Sequence, residues 1–88
     1  NIGDMMQIWS NDRYRAALHR VRPITDRPRY SVPFFFNPAY DTEVAPLVAT
    51  EASPAKYRPV NWGDFRQARA DGDFADYGHE IQIADFRL

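Results

Sequence analysis

The chain opens on an apolar run, Asp4 to Ser10, whose mixed pattern rich in Met, Ile and Trp predicts a strand after a turn at Gly3. Ser10-Asn11-Asp12 then marks a turn, because Asn and Asp tolerate left-handed backbone and bond their own main chain. A second strand is predicted over Arg15 to Arg22, with Ala17, His19 and Val21 on one face and Leu18 and Arg20 on the other. Pro23 and Pro28 bracket a loop, and a third strand is predicted over Arg29 to Phe36. There Arg29, Ser31, Pro33 and Phe35 leave by one face, while Tyr30, Val32, Phe34 and Phe36 leave by the other. Pro33 removes a ladder donor, which implies an edge position or a bulge.

After Asn37-Pro38 the pattern changes. Residues 42–48, TEVAPLV, fit one short strand, and Ala49 to Pro59 is a polar connector. Asn61 is placed to cap a helix beginning WGDFRQARA, where Trp62, Phe65 and Ala68 or Arg69 fall at helical spacing and Asp64 sits in the first turn. Asp71-Gly72-Asp73 is expected to end that helix by supplying a left-handed residue. The final EIQIADF alternates and fits a short strand or an extended tail. Antiparallel strands followed by one late helix predict a mainly β fold, a sandwich or part of a jelly roll with a C-terminal helix. Residues 1–48 hold the strands, and residues 49–88 form the connector, helix and tail of the same domain.

Composition narrows the function classes. At 88 residues the chain is at most one small domain, and such a chain buries only about 60% of the surface its unfolded form exposes. With no cysteine it has neither a disulfide framework nor a thiolate metal site, and a cytoplasmic, reducing location is expected. The 11 basic and 12 acidic residues are interspersed, so neither a nucleic-acid nor a membrane footprint follows. No apolar run is long enough to cross a bilayer. The first residue is Asn rather than Met, which implies a piece of a longer protein.

The candidate chemistry lies between Ala17 and Pro38. Arg29 and Ser31 share a strand face, and a guanidinium fork beside a hydroxyl suits a carboxylate, gripped through two parallel hydrogen bonds with a third from the hydroxyl. The plainer alternative is that Arg29 pairs with a neighbouring Asp. His19 is a ligand type suited to Fe, Zn or Cu, although a lone His on a strand is more often structural. Phe35 shares the face of Arg29 and Ser31 and is placed to wall a pocket. His79 follows a Gly in the tail and reads as a surface residue.

Three segments in order, NIGDMMQIWSNDRY, ALHRV and RYSVPFFFNP, together with the tail YRPVNWGDFRQARADGDF, resemble the C-terminal half of the catalytic domain of 2-oxoglutarate and Fe(II)-dependent oxygenases, in the isopenicillin N synthase-like branch. The resemblance implies a double-stranded β-helix, of which only part is present. It also implies that His19, in H-R-V, is the last histidine of a two-histidine, one-carboxylate iron site. Arg29 and Ser31, in R-x-S, would hold the far carboxylate of 2-oxoglutarate, and Val21 and Phe35 would line the substrate pocket. The other iron ligands, a His-x-Asp pair, would lie in an N-terminal part of the same protein, so Asp4 is not assigned as a ligand. Asp12 stands where the family often has Gly.

Three functions follow: an oxygenase that uses O2, Fe(II) and 2-oxoglutarate to hydroxylate or desaturate a small organic substrate; an oxidase of the same fold whose R-x-S holds the substrate carboxylate; or a non-catalytic jelly-roll piece that binds through strand edges. Strands cut from a closed roll leave edges that recruit another chain, so self-association of the isolated piece is expected.

Overall fold

The computed structural model describes residues 1–76 and 78–88. Its first element corrects the strand predicted over Asp4 to Ser10: Gly3–Trp9 is a helix, α1. A short apolar run cannot be assigned by periodicity alone, and here Met5 and Ile8, three residues apart, turn inward together with Gln7. The helix ends as the turn signal requires. Asn11 and Asp12 are left-handed, at φ 53° and 70°, and Asn11 N donates to Ile8 O while Asp12 N donates to Gln7 O. These are the two nested bonds that close a helix C-terminus.

Glu43–Val44 (β1) pairs antiparallel with Val60–Asn61 (β2), with Glu43 opposite Asn61 and Val44 opposite Val60. The short strand expected within residues 42–48 is thus two residues long. The predicted helix follows directly as α2, Trp62–Phe74, and Asn61 Oδ1 accepts the Asp64 amide at 3.0 Å as its cap. Gly63 donates its amide to Tyr40 O at 2.9 Å, and a side chain there would meet that oxygen and the Tyr40 ring.

The helix does not stop at Asp71-Gly72-Asp73; it continues to Phe74 and is followed by an extended Ala75 rather than by a left-handed glycine. Gly72 therefore occupies a helix interior, where it costs roughly 0.5 to 1 kcal/mol against Ala. A Cβ at Gly72 meets only the Glu80 side chain, at an ordinary 3.8 Å. Gly72→Ala is expected to stabilise the chain by about that amount, read as a higher urea midpoint at an unchanged slope.

The tail is neither a strand nor an extended segment throughout. Ile83–Phe86 is a 3₁₀ turn, held by reciprocal bonds between Gln82 and Asp85. On either side of Arg87 the chain runs beside the connector: Arg58 N donates to Phe86 O, Leu88 N donates to Lys56 O, and Tyr57 and Arg87 form an antiparallel bridge.

The core consists of Met5, Ile8, Val44, Tyr57, Val60 and Phe65, with Trp9, Trp62, Ile81, Ile83 and Phe86 packed against it. Phe65 meets Phe86 edge to face at 6.1 Å. Every core residue comes from the first nine positions or from beyond residue 43. The intervening arm lies outside, since all residues from Ala17 to Asn37 are exposed. The second and third predicted strands, Arg15–Arg22 and Arg29–Phe36, form no ladder among the described residues. Their alternation is present in the sequence, but extended chain needs a neighbouring strand to satisfy its amides, and two short strands alone are marginal in water.

Candidate functional site

His19, Val21, Arg29, Ser31 and Phe35 all lie on the exposed arm. The His19 ring folds back toward its own backbone, with Nδ1 2.8 Å from Ala17 O and 2.6 Å from Asn1 Nδ2. One nitrogen cannot donate to the carbonyl and accept from the amide at once. In the tautomer that donates Nδ1–H to Ala17 O, Nε2 keeps its lone pair, which is the arrangement a metal-binding imidazole needs.

Arg29 reaches only the Arg22 carbonyl, at 3.4 Å, and among the described residues its guanidinium has no carboxylate partner. The alternative of a pair with a neighbouring Asp is therefore not seen there. Val21 is 73% exposed. Phe35 lines an open apolar cavity with Met6, Trp9, Trp62, Phe65 and Arg66, whose walls contain neither Arg29 nor Ser31. The structure thus does not gather these five residues into one pocket. Among the described residues, no three His, Cys, Asp or Glu side chains come together as a metal site. His79 is an exposed partner of Asp85, with Nε2 2.9 Å from Oδ2.

What the fold does gather is a polar cluster at the base of the arm, which the sequence did not reveal. Asp12 Oδ1 accepts from Tyr57 OH at 2.6 Å and from Gln7 Nε2 at 3.0 Å, and Oδ2 accepts from Arg87 Nη2 at 2.8 Å. Tyr57 OH in turn accepts from Gln7 Nε2 and Arg87 Nη2, each at 2.9 Å. The Arg87 guanidinium lies over the Tyr57 ring, 4.8 Å from its centre. Gln7 Oε1 accepts the Ala16 amide at 2.8 Å. Asn11 ties the same turn to the connector, donating to Pro54 O and accepting from the Lys56 amide.

These contacts set the charge state of Asp12. Burial alone would raise its pKa, but hydrogen bonds from Tyr57, Arg87 and Gln7, with the Arg87 charge, outweigh it and hold the carboxyl down at about 2, from an ordinary 3.8. Tyr57 moves up, through burial and then through its bond to Asp12. For a depressed carboxyl, the stabilisation is full above the unfolded-state value and is lost as pH falls through the folded-state value. The Asp12 side chain is only 10% exposed, so the contribution is about 2 kcal/mol. Urea unfolding of wild type against Asp12→Asn is expected to show a gap that is constant near neutrality and shrinks from about pH 5 downward toward pH 2. A gap independent of pH would contradict this.

Comparison with known proteins converges on one group. The family model of the 2OG-Fe(II) oxygenase superfamily matches residues 1–38, the stretch that holds His19, Arg29 and Ser31. Gibberellin 2-beta-dioxygenase 6 of Oryza sativa subsp. japonica is 36% identical over 86 residues, 98% of this chain and 23% of that protein. Jasmonate-induced oxygenase 1 of Arabidopsis thaliana is 37% identical over 68 residues, 75% of this chain and 17% of that protein. A bifunctional coumaroyl CoA and feruloyl CoA ortho-hydroxylase of Ipomoea batatas is 45% identical over 67 residues, 74% of this chain and 19% of that protein. The chain therefore spans about a quarter or less of these relatives. No solved structure matches it significantly.

Proposed function

Because the chain belongs to the 2OG-Fe(II) oxygenase superfamily, we propose that it is the C-terminal part of an Fe(II)- and 2-oxoglutarate-dependent dioxygenase acting on a small organic substrate. The observation that carries the reading is that the superfamily match falls on residues 1–38, where H-R-V and R-x-S stand in the family's order. His19 supplies one iron ligand through Nε2, with Nδ1 held by the Ala17 carbonyl. Arg29 and Ser31 bind the far carboxylate of 2-oxoglutarate, a role that suits a guanidinium without a carboxylate partner among the described residues. Val21 and Phe35 exclude water from the substrate. A His-x-Asp pair in the N-terminal part of the full-length protein completes the ligand set.

In this reading the arm is the piece of the roll that needs the rest of the protein. Residues 15–22 and 29–36 join ladders of the double-stranded β-helix against strands outside this chain, which covers their apolar faces. Bound Fe(II) supplies the O2 chemistry. This chain's residues orient the co-substrate and keep the site dry.

The full-length protein is expected to convert 2-oxoglutarate to succinate in step with oxidation of its substrate, and only when Fe(II) is supplied. The 88-residue chain alone is expected to form no succinate above a metal-only control, because one imidazole does not hold Fe(II) against water. Substrate oxidation without succinate would reject the use of 2-oxoglutarate.

A further inference from the structure

Ala16 lies three residues before His19, at the point where the arm leaves the core, and its amide is held by a side chain rather than by a strand. That side chain is Gln7, which is buried within α1. Its Nε2 is engaged by Tyr57 OH and Asp12 Oδ1, so the amide plane is fixed from both ends. Arg87 closes the arrangement by donating to both Asp12 and Tyr57. Gln7 of α1 thus holds the arm's Ala16 amide directly, while Asp12 of the following turn, Tyr57 of the connector and Arg87 of the tail hold Gln7 and one another. Among the described residues, no side-chain nitrogen or oxygen buried in the protein lacks a hydrogen-bond partner.

We propose that Gln7, Asp12, Tyr57 and Arg87 are positioning residues for the iron ligand: they fix the base of the His19 strand through the Ala16 amide and so set where the imidazole is presented. The inference rests on the assignment of His19 as a ligand and extends it to groups that touch neither metal nor substrate. Outer partners that orient a ligand without binding the metal typically matter roughly 10- to 100-fold in metal affinity.

The full-length protein is the object to test, with Fe(II) titrated anaerobically into the apoprotein well below its melting temperature. Gln7→Met keeps the volume but removes both the acceptor for Ala16 and the donor to Tyr57 and Asp12. It is expected to weaken Fe(II) binding about tenfold and to shift the charge-transfer absorption of the Fe(II) and 2-oxoglutarate complex. Tyr57→Phe removes one hydroxyl and is expected to weaken Fe(II) binding by a smaller factor. Val44→Ala lowers the melting temperature through the core that the network shares but removes none of its hydrogen bonds, and is expected to leave the Fe(II) Kd and the absorption unchanged. A wild-type Kd in Gln7→Met overturns the proposal. So does a Kd that follows melting temperature alone across the three variants, and if Gln7→Met does not fold, Tyr57→Phe against Val44→Ala decides by the same comparison. Failure of the underlying assignment shows elsewhere, as undiminished iron in His19→Ala.

Discussion

Replacing His19 by Ala in the full-length protein is expected to remove bound iron and turnover together. A facial set of three protein ligands leaves two to hold the ion once the imidazole is gone, and both then compete poorly with water and buffer. The loss should exceed the roughly 10- to 100-fold that follows from deleting an outer partner, because here a donor atom itself is removed. Within this chain His19 is exposed, and among the described residues its ring bonds Ala17 and Asn1, so none of the core described above depends on it. Metal analysis of the purified variant beside succinate formation makes the check. Full iron stoichiometry with lost activity would assign His19 another role, and retained activity would remove it from the site.

The second large effect is expected at Arg29. Lys keeps the charge but replaces the planar fork by a single ammonium, so one of two parallel hydrogen bonds to a carboxylate is lost. Loss of such a charge-assisted bond costs roughly 1.5 to 3 kcal/mol, on the order of a tenfold to hundredfold rise in KM for 2-oxoglutarate. Ser31→Ala removes a neutral donor and should cost roughly 0.5 to 1.5 kcal/mol. Iron affinity should be nearly intact in both. If both variants handle 2-oxoglutarate normally but bind the organic substrate weakly, the pair anchors the substrate carboxylate, and the protein is an oxidase that does not use 2-oxoglutarate.

Elements were legible in the sequence where their determinants are local. Helix α2 announces itself because Asn61, Asp64 and the spacing of Trp62 and Phe65 all act within two turns, and the Ser10 to Asp12 turn does so because Asn11 carries its own conformational tolerance. Helix α1 departs from the strand its sequence suggests for a physical reason: MMQIW is short, and its inward face is decided by packing against Val44 and Tyr57 rather than by its own period. The end of α2 lies beyond the expected Asp71-Gly72-Asp73 because a helical Gly72 costs little, and Ala75 N still donates to Asp71 O across it. The wording of residues 17–31 named the candidate chemistry, yet its alternation could not make a strand without a neighbour. The cluster around Asp12 is invisible in the sequence, since its Tyr and Arg partners stand 45 and 75 residues away along the chain, and nothing in a local pattern marks a Tyr or an Arg as the partner of a distant carboxylate.

That separation also orders events during synthesis. Asp12 leaves the ribosome 75 residues ahead of Arg87, and at roughly 5 to 20 residues per second the interval is on the order of 4 to 15 seconds. Tyr57 follows Asp12 by 45 residues and Arg87 follows Tyr57 by a further 30, so the cluster is assembled in two stages, and Tyr30, Val32 and three consecutive phenylalanines are made before either partner. The turn that leads to His19 therefore gains its last hydrogen-bond partner only when almost the whole of this chain has been made.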